Sequence, residues 1–189
     1  AIKMGFKDII KVLIFLVGFS AFAQEKSFYI RSIRSIHLEN TPSVMQQLKF
    51  EPVDVVYNKI TQFLNDKITI SSSGTFEVSA FANINPGVMG SSSKDSIHIE
   101  LYLIKNNHEQ IENILAKTIF KFSYGNFDVA AGLLIAPTEV QLKKNDEISL
   151  WVKILPTSNI DINKSPKYDH VTKPTGMQQI AGMRIEKLL

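Results

Sequence analysis

The chain is 189 residues long, 44% hydrophobic and 21% charged, the make-up of a globular domain with enough chain to bury a core. It holds no cysteine, which excludes a disulfide scaffold, a zinc–thiolate or iron–sulfur site and a cysteine nucleophile. Of the formal net charge of +3, Lys3, Lys7 and Lys11 lie in the first 23 residues with a single acid, Asp8; residues 24–189 therefore carry 18 basic and 17 acidic groups, which is no electrostatic footprint for nucleic acid or an anionic membrane.

Those first 23 residues read as a secretory signal peptide. Lys7 and Lys11 form a positive start behind Met4, Val12 to Phe19 is apolar apart from Gly18, and Ala21-Phe22-Ala23 is a small-residue cleavage site that leaves Gln24 as the new N-terminus. The apolar stretch Val12–Ala23 is shorter than the roughly 20 residues a membrane-spanning helix needs. The expectation is export to the periplasm or the cell exterior, with no membrane insertion after cleavage. An exported chain of this size without disulfides fits a bacterial source.

From Phe28 the chain turns β-rich, with Phe28, Ile30, Ile33 and Ile36 apolar. Spacing close to 3.6 appears only over 43–64, broken by Pro42 and Pro52, and leaves Val55–Leu64 open between one short helix and another strand. After residue 67 period-two alternation dominates. Phe76, Val78 and Ala80 share a face; Ile97, Ile99, Leu101 and Leu103 repeat the pattern; Phe120 and Phe122 follow. Val129–Ile135 is apolar throughout, which predicts a strand buried on both faces. Val140 and Leu142 continue, and Ile148, Leu150, Val152 and Ile154 mark the strongest strand, bounded by Asn145-Asp146 and Pro156. Ile180–Leu188 reads as the last strand against a competing helical pattern. Turn residues fall between these runs: Ser71–Gly74, the 83–95 loop, Asn106-Asn107, Tyr124–Asn126 and the proline-rich 156–176 excursion.

About eight to ten short strands punctuated in this way predict an all-β fold, an antiparallel two-sheet β-sandwich of jelly-roll type. The expected organisation is a signal peptide (1–23), N-terminal strands and a connecting segment packing on the sandwich (24–66), and the jelly-roll domain (67–189).

A family resemblance runs through residues 68–187. Ile68 followed by Gly74-Thr75-Phe76-Glu77-Val78, then Glu100–Asn107, then Val140–Leu150, and last Ile180-Ala181-Gly182-Met183-Arg184-Ile185 resemble, in order, four signatures of the globular head of complement component one-q. Asn107 and Asn145 stand where that family has turn glycines, a replacement asparagine tolerates because it accepts positive φ. Phe50 is not at the family's spacing. The resemblance implies a jelly roll of the tumour-necrosis-factor type with about ten strands, usually a compact homotrimer that binds ligands and has no catalytic activity.

The residues themselves offer little chemistry. His37, His98, His108 and His170 share no ligand spacing, and His98-x-Glu100 is a solvated strand face rather than the His-x-His set of a metal-binding jelly roll. Asp161, Asp169 and His170 lack the oxygen-rich loop that calcium needs. No nucleophile elbow or phosphate loop is present, so the reading is of a protein without catalytic residues, metal or cofactor.

Two surfaces are candidates instead. The apolar strand needs a cover, supplied by a neighbouring subunit or by the N-terminal segment; Val129, Leu133, Ile135 and, for close approach, Gly182 are the candidate subunit contacts. Trp151, the only tryptophan, lies on the face opposite Ile148, Leu150 and Val152, as Tyr102 does on its own strand. Each is partly covered core, a subunit contact or a ligand platform. The expected function is an exported recognition protein, trimeric, binding protein or carbohydrate through its loops. The alternative is a structural subunit of a bacterial surface appendage or envelope complex, with Phe28–Ile36 exchanged between neighbours as a donated strand.

Overall fold

The computed structural model describes residues 26–34, 36–38, 43–64, 66–84, 88–89, 96–106, 109–123, 126–127, 131–156, 170–171 and 180–188. The proposed cleavage residues Ala21, Ala23 and Gln24 lie outside these, as do Val129, His108, Asp161, Asp169 and most of the 83–95 loop.

Two antiparallel sheets form the molecule. The first has five strands in the order β12 (Ala131–Leu142), β7 (Gly74–Ile84), β15 (Ala181–Lys187), β1 (Ser27–Ser32) and β4 (Val55–Asn58). The second runs β10 (Ile114–Ser123), β9 (Ser96–Lys105), β13 (Glu147–Pro156), β6 (Lys67–Ile70) and β5 (Thr61–Leu64), with β3 (Gln46–Gln47) pairing further along β13. The chain passes back and forth between the sheets, from β6 to β7, β7 to β9, β10 to β12, β12 to β13 and β13 to β15. This is the jelly-roll path. Short pairs join β2 (Ile36–His37) to β14 (His170–Val171) and β8 (Val88–Met89) to β11 (Asn126–Phe127).

The alternation legible in the sequence is what fills the space between the sheets. Phe76, Val78, Ala80 and Ala82 from β7, Met183 and Ile185 from β15, and Phe28 and Ile30 from β1 face Ile97, Ile99 and Leu101 from β9 and Ile148, Leu150, Val152 and Ile154 from β13, all buried. The hydrophobic effect acts on one side of each strand, and period two delivers one apolar side. β15 is a strand because Met183 and Ile185 can reach this core only at that period, set between β1 and β7.

One open choice is decided and one expectation needs correction. No helix occupies 55–64: the segment is β4, a turn at Lys59-Ile60, and β5. The residues Val55, Val56, Thr61 and Phe63 are β-branched or aromatic, and the Asn58 side chain closes the turn by accepting from the Thr61 amide (3.1 Å) and hydroxyl (3.0 Å). Pro52 opens a short 3-10 turn, Pro52–Asp54, fixed to the preceding chain by Arg34, which reaches Asp54 at 3.1 Å and Glu51 at 2.5 Å. Second, residues 27–64 do not form a separate layer; they contribute β1 and β4 to one sheet and β5 to the other. With Phe28 and Ile30 wholly buried in its own sheet, β1 already fills the place a donated strand would take. Asn145-Asp146, which bounds the strongest strand in the sequence, is the corner where the chain leaves one sheet for the other. Asn145 adopts φ 73° there, and the buried Asp146 carboxylate accepts from the Lys143 amide (2.8 Å) and the Asn106 side chain (3.1 Å).

Candidate functional site

The apolar run that opens β12 is not buried on both faces within one chain. Leu133 and Ile135 are 3% and 2% exposed and belong to the core, whereas Leu134 between them is 65% exposed. This overturns Leu133 and Ile135 as contact residues: a strand offers alternate residues to opposite faces, and pairing with β7 sets Leu134 opposite Phe81, on the outer side. Gly182 is also on that side but is covered by its own chain. The Phe81 ring lies across it so closely that a Cβ on Gly182 would stand 2.6 Å from the ring and 2.8 Å from the Ile30 carbonyl.

Register extends this face across the sheet. One row of cross-strand partners is Leu134, Phe81, Gly182 and Arg31; the next is Ser79, Arg184, Tyr29 and Tyr57. β4 bulges here, and the extra residue Val56 stands half exposed beside Tyr57. Two shallow depressions result. One of about 480 Å³ is bounded by Ser27, Tyr29, Val56, Tyr57 and Arg184; another of about 180 Å³ lies against Phe81, Leu134 and Met183, and the two share Tyr29 and Arg184. The outer face of the five-stranded sheet thus carries Leu134, Phe81, Tyr29 and Tyr57, with Arg31, Ser79 and Arg184 in the same two rows. None of the first four stands out in the sequence as a contact residue. The only signal for the tyrosines and Phe81 is that they alternate with core residues.

A third row on the same face is acidic: Glu139, Glu77 and Glu186 are direct partners on three adjacent strands. Arg184 holds Glu186 at 2.5 Å, which leaves Glu77 beside Glu139. Like charges directly opposite weaken a sheet. Glu77→Gln is therefore expected to stabilise the fold by about 0.2–1 kcal/mol, seen as a raised melting temperature; an unchanged or lower one would show the row to be harmless.

The outer face of the second sheet carries the other candidates. Tyr102 and Trp151 are direct cross-strand partners, in a row that runs Lys117, Tyr102, Trp151, Gln47. Tyr102 is 8% exposed and its hydroxyl donates to Glu100; burial first, then that bond, hold the phenol above its ordinary range, so it stays a donor. The Lys117 ammonium sits 5.9 Å from the ring centre. Trp151 is half-buried and its Nε1 donates to Ser149 Oγ at 2.8 Å. The structure therefore brings the two aromatic residues together but leaves only Trp151 with accessible surface of any extent. Among the described residues, no group of three or more histidine and acidic side chains is placed to hold a metal, and no helix is long and apolar enough to cross a membrane.

No family model matches the chain, and no curated relative does. Among solved structures it is similar to murine APRIL, with a TM-score of 0.52 over 85% of this chain and 98% of that one at 7% identity. The fold is a two-sheet jelly roll, which this chain shares with that structure. Eiger TNF from S. frugiperda is similar as well, at a TM-score of 0.49 and 11% identity, covering 87% of this chain and 91% of that one. At 7% identity the likeness to APRIL is one of fold, and it agrees with the jelly roll that the sequence implies.

Proposed function

We propose that the chain is an exported, non-catalytic recognition protein that works as a homotrimer, with the outer face of the five-stranded sheet as the subunit contact. The observation that carries this reading is Leu134, exposed within a β-strand and beside Phe81, on the sheet face that also carries Tyr29 and Tyr57. An apolar and aromatic strip on a sheet face calls for a cover, and tyrosine and phenylalanine are the side chains that subunit contacts favour. The trimer is also the assembly that the family resemblance implies. Cleavage after Ala23 releases the mature chain, and its ligands are met by the surfaces the trimer leaves open.

Light scattering of residues 24–189 behind a sizing column tests the assembly. The expected result is three times the chain mass, independent of concentration. A chain that remains single at all concentrations overturns the reading and leaves Leu134 as an exposed leucine without a partner.

A further inference from the structure

The second sheet has a seam. On one edge of β13 the partner is β6 at Glu147 and Ile148, then β3 at Trp151 and Val152. Ser149 lies between the two, and the gap opens a notch of about 80 Å³ whose walls come from four places in the chain: Gln47, Asp66, Lys67, Asn106, Ser149 and Trp151. The floor is rigid. Asn106 donates to Asp146 at 3.1 Å and accepts from the Glu147 amide at 2.8 Å, and the Trp151 indole is fixed by its bond to Ser149. Part of the indole surface remains exposed at the mouth of the notch.

Among the described residues, the rim has hydrogen-bonding capacity left over. No described residue bonds the Gln47 amide or the Asp66 carboxylate. Lys67 holds Glu147 at 2.9 Å and keeps two further N–H donors. A fixed aromatic plane beside a carboxylate, an amide and an ammonium suits a ligand with an apolar face and an edge of hydroxyls. The Asp66 and Glu147 carboxylates disfavour a phosphate, and the polar walls disfavour a lipid chain. At about 30 Å³ per water, the notch takes a few water-sized groups and not a whole ring.

We propose that this notch binds the exocyclic arm of a pyranose sugar, with the ring lying outside on Trp151 and its hydroxyls shared between Asp66, Gln47 and Lys67. The inference rests on the reading of the protein as a recognition module, and names the ligand class for one of its open surfaces.

Because the chain has one tryptophan, its intrinsic fluorescence reports this site alone. The full chain is titrated with methyl α-mannoside, methyl β-glucoside, methyl β-galactoside and N-acetylglucosamine. A saturable change with at least one of them is expected, weakened about tenfold or more by Asp66→Asn or Gln47→Ala. Both variants keep the fold: asparagine accepts the φ of 63° at position 66, and the Gln47 side chain is at the rim. The proposal is overturned if none of the four sugars gives a saturable change, or if neither variant weakens the one that does. Molecular mass measured on the same samples separates the two readings. A trimer with no sugar response overturns the notch alone, and a monomer that responds overturns the trimer alone.

Discussion

Leu134→Asp is expected to turn the trimer into single folded chains. The carboxylate would stand beside Phe81, at the β12 end of the strip that continues to Tyr29 and Tyr57, and a neighbour closing over it would have to strip its water without supplying a partner, a cost of several kcal/mol. Three symmetry-related copies would incur it at once. Within the single chain nothing is lost, since Leu134 is 65% exposed and takes no part in the core. The mass should fall to that of one chain while the far-ultraviolet spectrum stays that of a β protein.

The adjacent position gives the control. Leu133 is 3% exposed and faces the other way, so Leu133→Ala should leave the assembly a trimer and lower its stability, by the roughly 2–5 kcal/mol of a buried leucine truncation. Two leucines one residue apart thus separate assembly from folding. If Leu134→Asp stays trimeric, the subunit contact lies elsewhere on the molecule.

That contrast also marks how far the sequence can be read. Where polar and apolar residues alternate, as from Ile148 to Ile154 or Ile97 to Leu103, the residues alone name the buried face, and the core agrees with it. In Val-Ala-Ala-Gly-Leu-Leu-Ile both faces are apolar, so period two has no phase. Pairing with β7 supplies the phase, by setting Leu134 opposite Phe81. The 55–64 segment is ambiguous for a related reason. Its apolar spacing fits a helix and its β-branched residues a strand, and the partners that decide, β1 for β4 and β6 for β5, are distant in the sequence or joined by a tight turn.

Sites assembled from several elements are the least legible. The outward side of Trp151 follows from alternation, but the notch beside it depends on Gln47, Asp66 and Asn106, which only the seam along β13 brings together. The acidic row is the same case: Glu77, Glu139 and Glu186 have nothing in common until three strands align. Gly182 can be read as a point of close approach. That the approaching group is Phe81 of the same chain cannot.

Gly182→Ala tests that last packing. Its Cβ would meet two obstacles of different kinds, the Phe81 ring at 2.6 Å and the Ile30 carbonyl oxygen at 2.8 Å. The ring can turn away at the expense of its own contacts. The carbonyl cannot move without shifting β1 against β15, and both strands lie inside the five-stranded sheet with Phe28, Ile30, Met183 and Ile185 packed beneath them. The expected loss is about 1–3 kcal/mol, as for other overpacked sites, and melting at a fixed protein concentration should show it as a fall of several degrees. Phe81→Ala combined with Gly182→Ala removes the first obstacle and leaves the second. The alanine at 182 should therefore cost less in the Phe81→Ala background than in the native chain, and still more than nothing. An alanine at 182 that melts with the native protein would mean that Phe81 does not lie across the glycine, and the strip from Leu134 to Tyr29 would lose its continuity with it.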